Sequence, residues 1–145
     1  MTNAWFDEGL AEYSTLLYFD KFSEGGVNRE KLVGDAKINY ELYIDVVTSL
    51  NIKVNYSMSL RLNEYVSEYE YVYMIYVKGL LMFEDLRNKL GDELFFKFLK
   101  KLYREYSFDI INKDKFIQVL EDVSKLDVAP FVEGWLSGNV GILSN

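Results

Sequence analysis

The chain has 145 residues, half of them apolar and 17% aromatic, with 16 Lys and Arg against 23 Asp and Glu and a formal charge of −7. That length fits one domain with one core, and the composition excludes disorder, collagen and low-complexity linkers. No basic patch able to neutralise phosphates fits this balance, no stretch reaches the ~18 unbroken apolar residues of a membrane span, and no basic-then-apolar leader opens the sequence, so neither a nucleic-acid partner nor a membrane span is expected.

Two residue types are missing altogether, Cys and His. Without Cys there is no disulfide and no thiolate chemistry, and the redox compartment stays open. Without His there is no Ser-His-Asp triad, no imidazole base and no nitrogen ligand for zinc. Any chemistry falls to carboxylates, Tyr, Lys or Ser.

Helical periodicity dominates, with no internal repeat and no linker. The pattern predicts a first helix from about Ala4 to Phe22, stopped at Gly25-Gly26. Asn28 is placed to cap a second helix reaching roughly Leu50, whose Leu32, Val33, Ala36, Tyr40, Tyr43 and Val47 lie near helical spacing. From Ile52 to Leu62 apolar and polar residues alternate, the period of a short strand or of an extended loop packed on the helices. A third long helix fits Tyr71 to Leu90 and ends at Gly91. Asp92 is read as the cap of a fourth, with Leu94, Phe95, Phe98, Leu99, Leu102, Tyr103 and Tyr106 on one continuous apolar face. Asn112 caps a fifth, and Asp127 a short last helix with Pro130 in its first turn and Gly138 near its end. The expected fold is a single all-α, multi-helix domain of roughly five to six helices, with at most one short strand near 52–62.

On a wheel of about 100° per residue, Glu8 and Glu12 of the first helix fall one turn apart inside a mostly apolar arc that also holds Trp5, Ala11, Thr15, Leu16, Tyr18, Phe19 and Phe22. A buried charge is costly unless it is paired or ligates a cation. The ordinary reading is that these acids favour the helix N-terminus and pair with a Lys or Arg elsewhere. Tyr76 shares a stripe with Gly79, Leu80, Phe83 and Leu90; its phenol suits donation to an oxyanion in a dry site, although a bond to a core backbone carbonyl is the commoner arrangement and the expected one from this pattern. Lys78 falls on the polar side of the same wheel and is expected to be solvated. Glu84-Asp85 and Glu121-Asp122 read as solvated faces. The run Tyr65, Tyr69, Tyr71, Tyr73, Tyr76 reads as a Tyr-packed core, since the interleaved Glu64, Glu68 and Glu70 would repel phosphates.

The segment Trp5-Phe6-Asp7-Glu8-Gly9-Leu10-Ala11-Glu12-Tyr13 resembles the W-x-x-E-G-x-A-x-Y segment of gluzincin metallopeptidases of the membrane alanyl aminopeptidase family, which includes leukotriene A4 hydrolase. Tyr76-Val77-Lys78-Gly79 is similar to that family's Y-x-K-G, and Leu86-Arg87, Leu90-Gly91-Asp92-Glu93, Phe95, Tyr106, Asp114, Phe116 and Trp135-Leu136 follow in order. The resemblance implies the C-terminal helical half of a thermolysin-like catalytic domain. It implies that Glu8 is the third zinc ligand and that Tyr76 stabilises the tetrahedral oxyanion; Glu12 matches no ligand position of the family and is read here as a residue that orients a ligand from behind.

The family's His-Glu-x-x-His helix, which supplies two zinc ligands and the catalytic base, has no counterpart here. The chain is therefore expected to be a piece of a peptidase, excised or from a truncated gene, with zinc in the full-length parent and none bound tightly by this chain alone. Its partners would be the rest of the catalytic domain and, in the parent, a peptide substrate. The arc around Glu8 would pack against the absent helix; left bare, it is expected to drive self-association, because exposed apolar patches beyond about a few hundred Å² are unusual on monomers. A self-standing helical interaction module and a metal-free pseudoenzyme scaffold are the competing readings.

Overall fold

A computed structural model describes residues 4–22 and 26–139. They form six helices and no strand: α1 (Ala4–Phe22), α2 (Arg29–Ser49), α3 (68–90), α4 (Asp92–Tyr106), α5 (Lys113–Ser124) and α6 (Ala129–Ser137). None of the described helices is long and apolar enough to cross a membrane.

Local signals start and stop most of these elements. The Asn28 side chain accepts from the Lys31 amide at 2.9 Å to open α2, and Asn112 does the same for Lys115 at the start of α5. Pro130 stands in the first turn of α6, where its missing N–H would have had no partner, and Gly138 closes that helix in the left-handed region at φ 81°. The expected stop at Gly25-Gly26 lies partly outside the described residues.

Two expected caps fail. Asp92 opens α4 but turns its carboxylate to Arg87, Nε at 2.7 Å and a second nitrogen at 2.9 Å; Gly91 occupies the cap position with φ 77° and no side-chain bond. A bidentate guanidinium outcompetes a single backbone N–H for the same acid. Asp127 lies one residue too early, since α6 is preceded by Val128 and has no side-chain cap.

The third helix is one rod in three pieces: α-helical over Glu68–Tyr71, π-helical over Val72–Val77 and α-helical again over Lys78–Leu90. In the π turn the Lys78 amide reaches back five residues to the Tyr73 carbonyl. Such turns are rare inside α-helices and occur often at functional sites.

α1 packs along α3, α2 crosses both, and α4 with α5 closes the other side. Phe116 of α5 sits at the centre, edge-on to Trp5, Phe6, Phe83 and Phe98 at ring separations of 5.2–6.1 Å. The alternating segment 52–62 is an extended loop. Its Met58 is buried and donates its N–H to the Leu136 carbonyl at 2.9 Å, while Ser57 Oγ bonds the same carbonyl at 3.1 Å. These bonds go to a helix C-terminus, and no strand lies beside the segment; of its alternating apolar residues Met58 is buried, Val54 and Leu60 are half-buried, and Ile52, Tyr56 and Leu62 are exposed, so the alternation marks no packed face.

Candidate functional site

α1 and α3 meet glycine to glycine. A Cβ on Gly79 would stand 2.7 Å from the Gly9 Cα, and one on Gly9 3.0 Å from the Gly79 Cα. Only two bare backbones allow this approach. Glu8 directly precedes the first glycine and Tyr76 lies one turn before the second, so the crossing sets the acid and the phenol against each other. Gly within a helix interior is destabilising, which is the sequence signal that could have marked both positions as packing sites.

Glu8 is half-buried. The Tyr76 hydroxyl faces its carboxylate, and Tyr71, edge-on to Tyr76 at 5.8 Å, completes the wall. Burial first, then the Glu8 acceptor and charge, with Tyr71 and Glu12 behind it, hold the Tyr76 phenol above its ordinary value. Tyr71 is pushed the same way by burial and by Glu8 and Asp7, and Asp7 is itself raised by burial and by Glu8. Both phenols thus remain protonated donors at neutral pH. Glu12, one turn on, is exposed and reaches Tyr76 only through its charge.

Among the described residues, no ion pair involves Glu8 or Glu12. The ordinary expectation of a Lys or Arg partner is not met there. Tyr76 likewise finds a carboxylate where a backbone carbonyl was the commoner expectation. Downstream of Glu8 the expected arc of α1 divides: Ala11, Thr15, Tyr18 (49% exposed) and Phe22 (51%) form a bare stripe, whereas Leu16 is buried in the core and Phe19 is half-buried.

Two expected solvated residues are buried. Lys78 is 1% exposed; its Nζ donates to the Tyr56 carbonyl at 2.6 Å, and burial pulls its pKa down to about 8. The α-helical wheel misplaces it because the π turn shifts the phase of the rod and the 52–61 loop covers that side. Glu84 is also buried, accepting from Tyr13 at 2.9 Å and from Arg29 Nε and a terminal nitrogen at 2.9 and 2.8 Å. Asp85 accepts the Trp135 indole N–H at 3.1 Å, docking α6 on α3.

The Tyr run divides rather than forming one core. Tyr65 is buried, Tyr71, Tyr73 and Tyr76 are half-buried, and Tyr69 is 75% exposed beside a groove of about 490 Å³ that includes Leu42, Val46 and Ile52.

No curated protein and no solved structure matches the chain significantly. A family model does: residues 2–135 match the peptidase family M1 domain, and the chain belongs to that family.

Proposed function

We propose that the chain is one portion of the catalytic domain of a zinc-dependent, aminopeptidase-like hydrolase, its C-terminal helical part, and that it is inactive by itself. Its own donors do not make a zinc centre. His and Cys are absent, no three acidic side chains gather at one point among the described residues, and such a centre needs roughly three protein ligands. What the residues do fit is the supply of one oxygen ligand, Glu8, to a site completed by a His-Glu-x-x-His segment outside this chain. When bound, zinc supplies a water acidic enough to attack near neutral pH.

In this reading Tyr76 keeps its proton and donates it in a hydrogen bond to the developing oxyanion of the scissile peptide, a contribution of about 2.7–4 kcal/mol for one such donor. Glu12 orients the ligand set from its exposed position one turn away. The remainder of the catalytic domain covers the bare α1 stripe through Tyr18 and Phe22. The observation that carries the proposal is the half-buried Glu8 carboxylate, held against a protonated phenol by the Gly9–Gly79 crossing, with no cation on it among the described residues.

Tyr76→Phe in the complete enzyme tests it: kcat should fall about 10²–10³-fold with KM little changed. An unchanged kcat removes Tyr76 from the site.

One observation favours the interaction-module reading as a second choice. α2 exposes Ile38, Leu42 and Val46 at four-residue spacing, 54–57% each, beside the 490 Å³ groove. Substituting that face in the complete enzyme leaves peptidase activity intact if the hydrolase reading is right.

A further inference from the structure

Two buried charges bracket the π turn of α3, and the catalytic proposal uses neither. Glu70, 2% exposed, lies two residues before it, and Lys78, 1% exposed, directly follows it. Among the described residues neither pairs with an opposite charge; both spend themselves on the backbone of the connecting loop. Glu70 accepts from the Asn55 N–H at 3.0 Å through one oxygen and from the Val66 N–H at 2.6 Å through the other. Lys78 donates to the Tyr56 carbonyl at 2.6 Å. The two side chains therefore grip adjacent residues, Asn55 and Tyr56.

That loop is itself anchored. A Cβ on Gly138 would stand 2.6 Å from the Tyr56 Cβ, and Met58 is bonded to Leu136, so Tyr56 is wedged against the end of α6. A fixed pair of loop residues thus sets the span of helix between Glu70 and Lys78. A π turn places one more residue in that span than an α turn would and rotates everything beyond it. Tyr71 and Tyr76, five residues apart, meet edge-on within the turn, and Tyr76 comes round to Glu8.

We infer that Glu70 and Lys78 are positioning residues: by clamping Asn55 and Tyr56 they hold the π turn in α3 and so aim the Tyr76 hydroxyl at Glu8. The inference rests on Tyr76 and Glu8 being the site pair. A buried lysine bonded to a single carbonyl is a poor contributor to stability for its own sake, and a positioning role accounts for it. The clamp does not depend on the ammonium charge, because a neutral amine still donates.

The test uses the 145-residue chain labelled with 3-fluorotyrosine, the Tyr76 line in the ¹⁹F spectrum being the one lost in Tyr76→Phe. In the otherwise unaltered chain, Glu8→Gln should move that line. In Lys78→Met and in Glu70→Gln, each shown by a cooperative thermal melt to be folded, the further change Glu8→Gln should leave it in place. A Tyr76 line that still responds to Glu8→Gln in either folded variant overturns the clamp and leaves the site pair standing. If Lys78→Met does not fold, Glu70→Gln, which loses one of its two acceptors, decides alone. A line that ignores Glu8→Gln in the unaltered chain overturns the site pair and the clamp with it.

Discussion

At one end of the α1–α3 contact, Glu84 gathers the Tyr13 phenol, a bidentate Arg29 and, beside them, an Arg87 that holds Asp20 at 3.0 Å and Asp92 at 2.7 Å. At the other end, Glu8 meets a phenol too, but among the described residues no cation. Both ends put a carboxylate against a tyrosine on the same pair of helices. At the Glu84 end every charge is spent within the fold and ties four helices together. At the Glu8 end, in the function proposed above, the carboxylate keeps its acceptor capacity for a cation shared with the rest of the catalytic domain. A buried charge with its partners in place is structure, whereas one without them marks where another component belongs.

If that contrast is right, the largest stability loss belongs to the paired end. Glu84→Ala strands Arg29 and the Tyr13 hydroxyl and should cost about 3–5 kcal/mol in urea unfolding, whereas Glu8→Gln should move the same measurement by less than about 0.5 kcal/mol. Equal losses at the two sites would erase the distinction. The catalytic effect runs the other way: the expected fall in kcat of Tyr76→Phe has no counterpart in Tyr13→Phe beyond what lost stability explains.

Lys78 gives a pH-dependent contrast. Its amine titrates at about 8 when folded against an ordinary 10.5. Below pH 8 both states carry the proton, and between 8 and 10.5 only the unfolded chain does, so this residue's contribution to stability rises with pH across that window. The rise is on the order of 3 kcal/mol. Tyr13, Tyr40 and Tyr65, raised above 10.0 by burial first, act oppositely: their contribution is lost as pH climbs past the ordinary phenol range. Urea midpoints should therefore climb from pH 8 to 10 in the unaltered chain and stay flat in Lys78→Met.

The smallest expected effect concerns the bare stripe of α1. We propose that it self-associates when uncovered, so light scattering should show concentration-dependent growth. Tyr18→Ser or Phe22→Ser should weaken it about tenfold, equivalent to ~1.4 kcal/mol of lost apolar contact. A strict monomer at high concentration would contradict this.

Much of the fold was legible because its signals are local. Asn28, Asn112, Pro130 and Gly138 each act within a turn of their own position, and the bounds of α1 and α2 follow from periodicity together with such local stop and cap signals. What failed depended on residues distant in sequence. Asp92 looks like a cap until Arg87 takes it, and Glu84 looks solvated until Arg29, 55 positions away, reaches it. Lys78 was misplaced because a wheel assumes one helical phase, and the π turn breaks it. At the candidate site the quoted motifs pointed to Glu8 and Tyr76, but that their glycines touch each other, and thereby create the pairing, is a tertiary fact no spacing reveals.

The most direct measurement is zinc content in the complete catalytic domain, with Glu8 and Glu12 changed separately to Gln. Zinc should be bound at one per domain in the unaltered protein, be lost with Glu8→Gln, and be weakened roughly tenfold with Glu12→Gln. Full zinc occupancy in the Glu8→Gln protein would contradict the account.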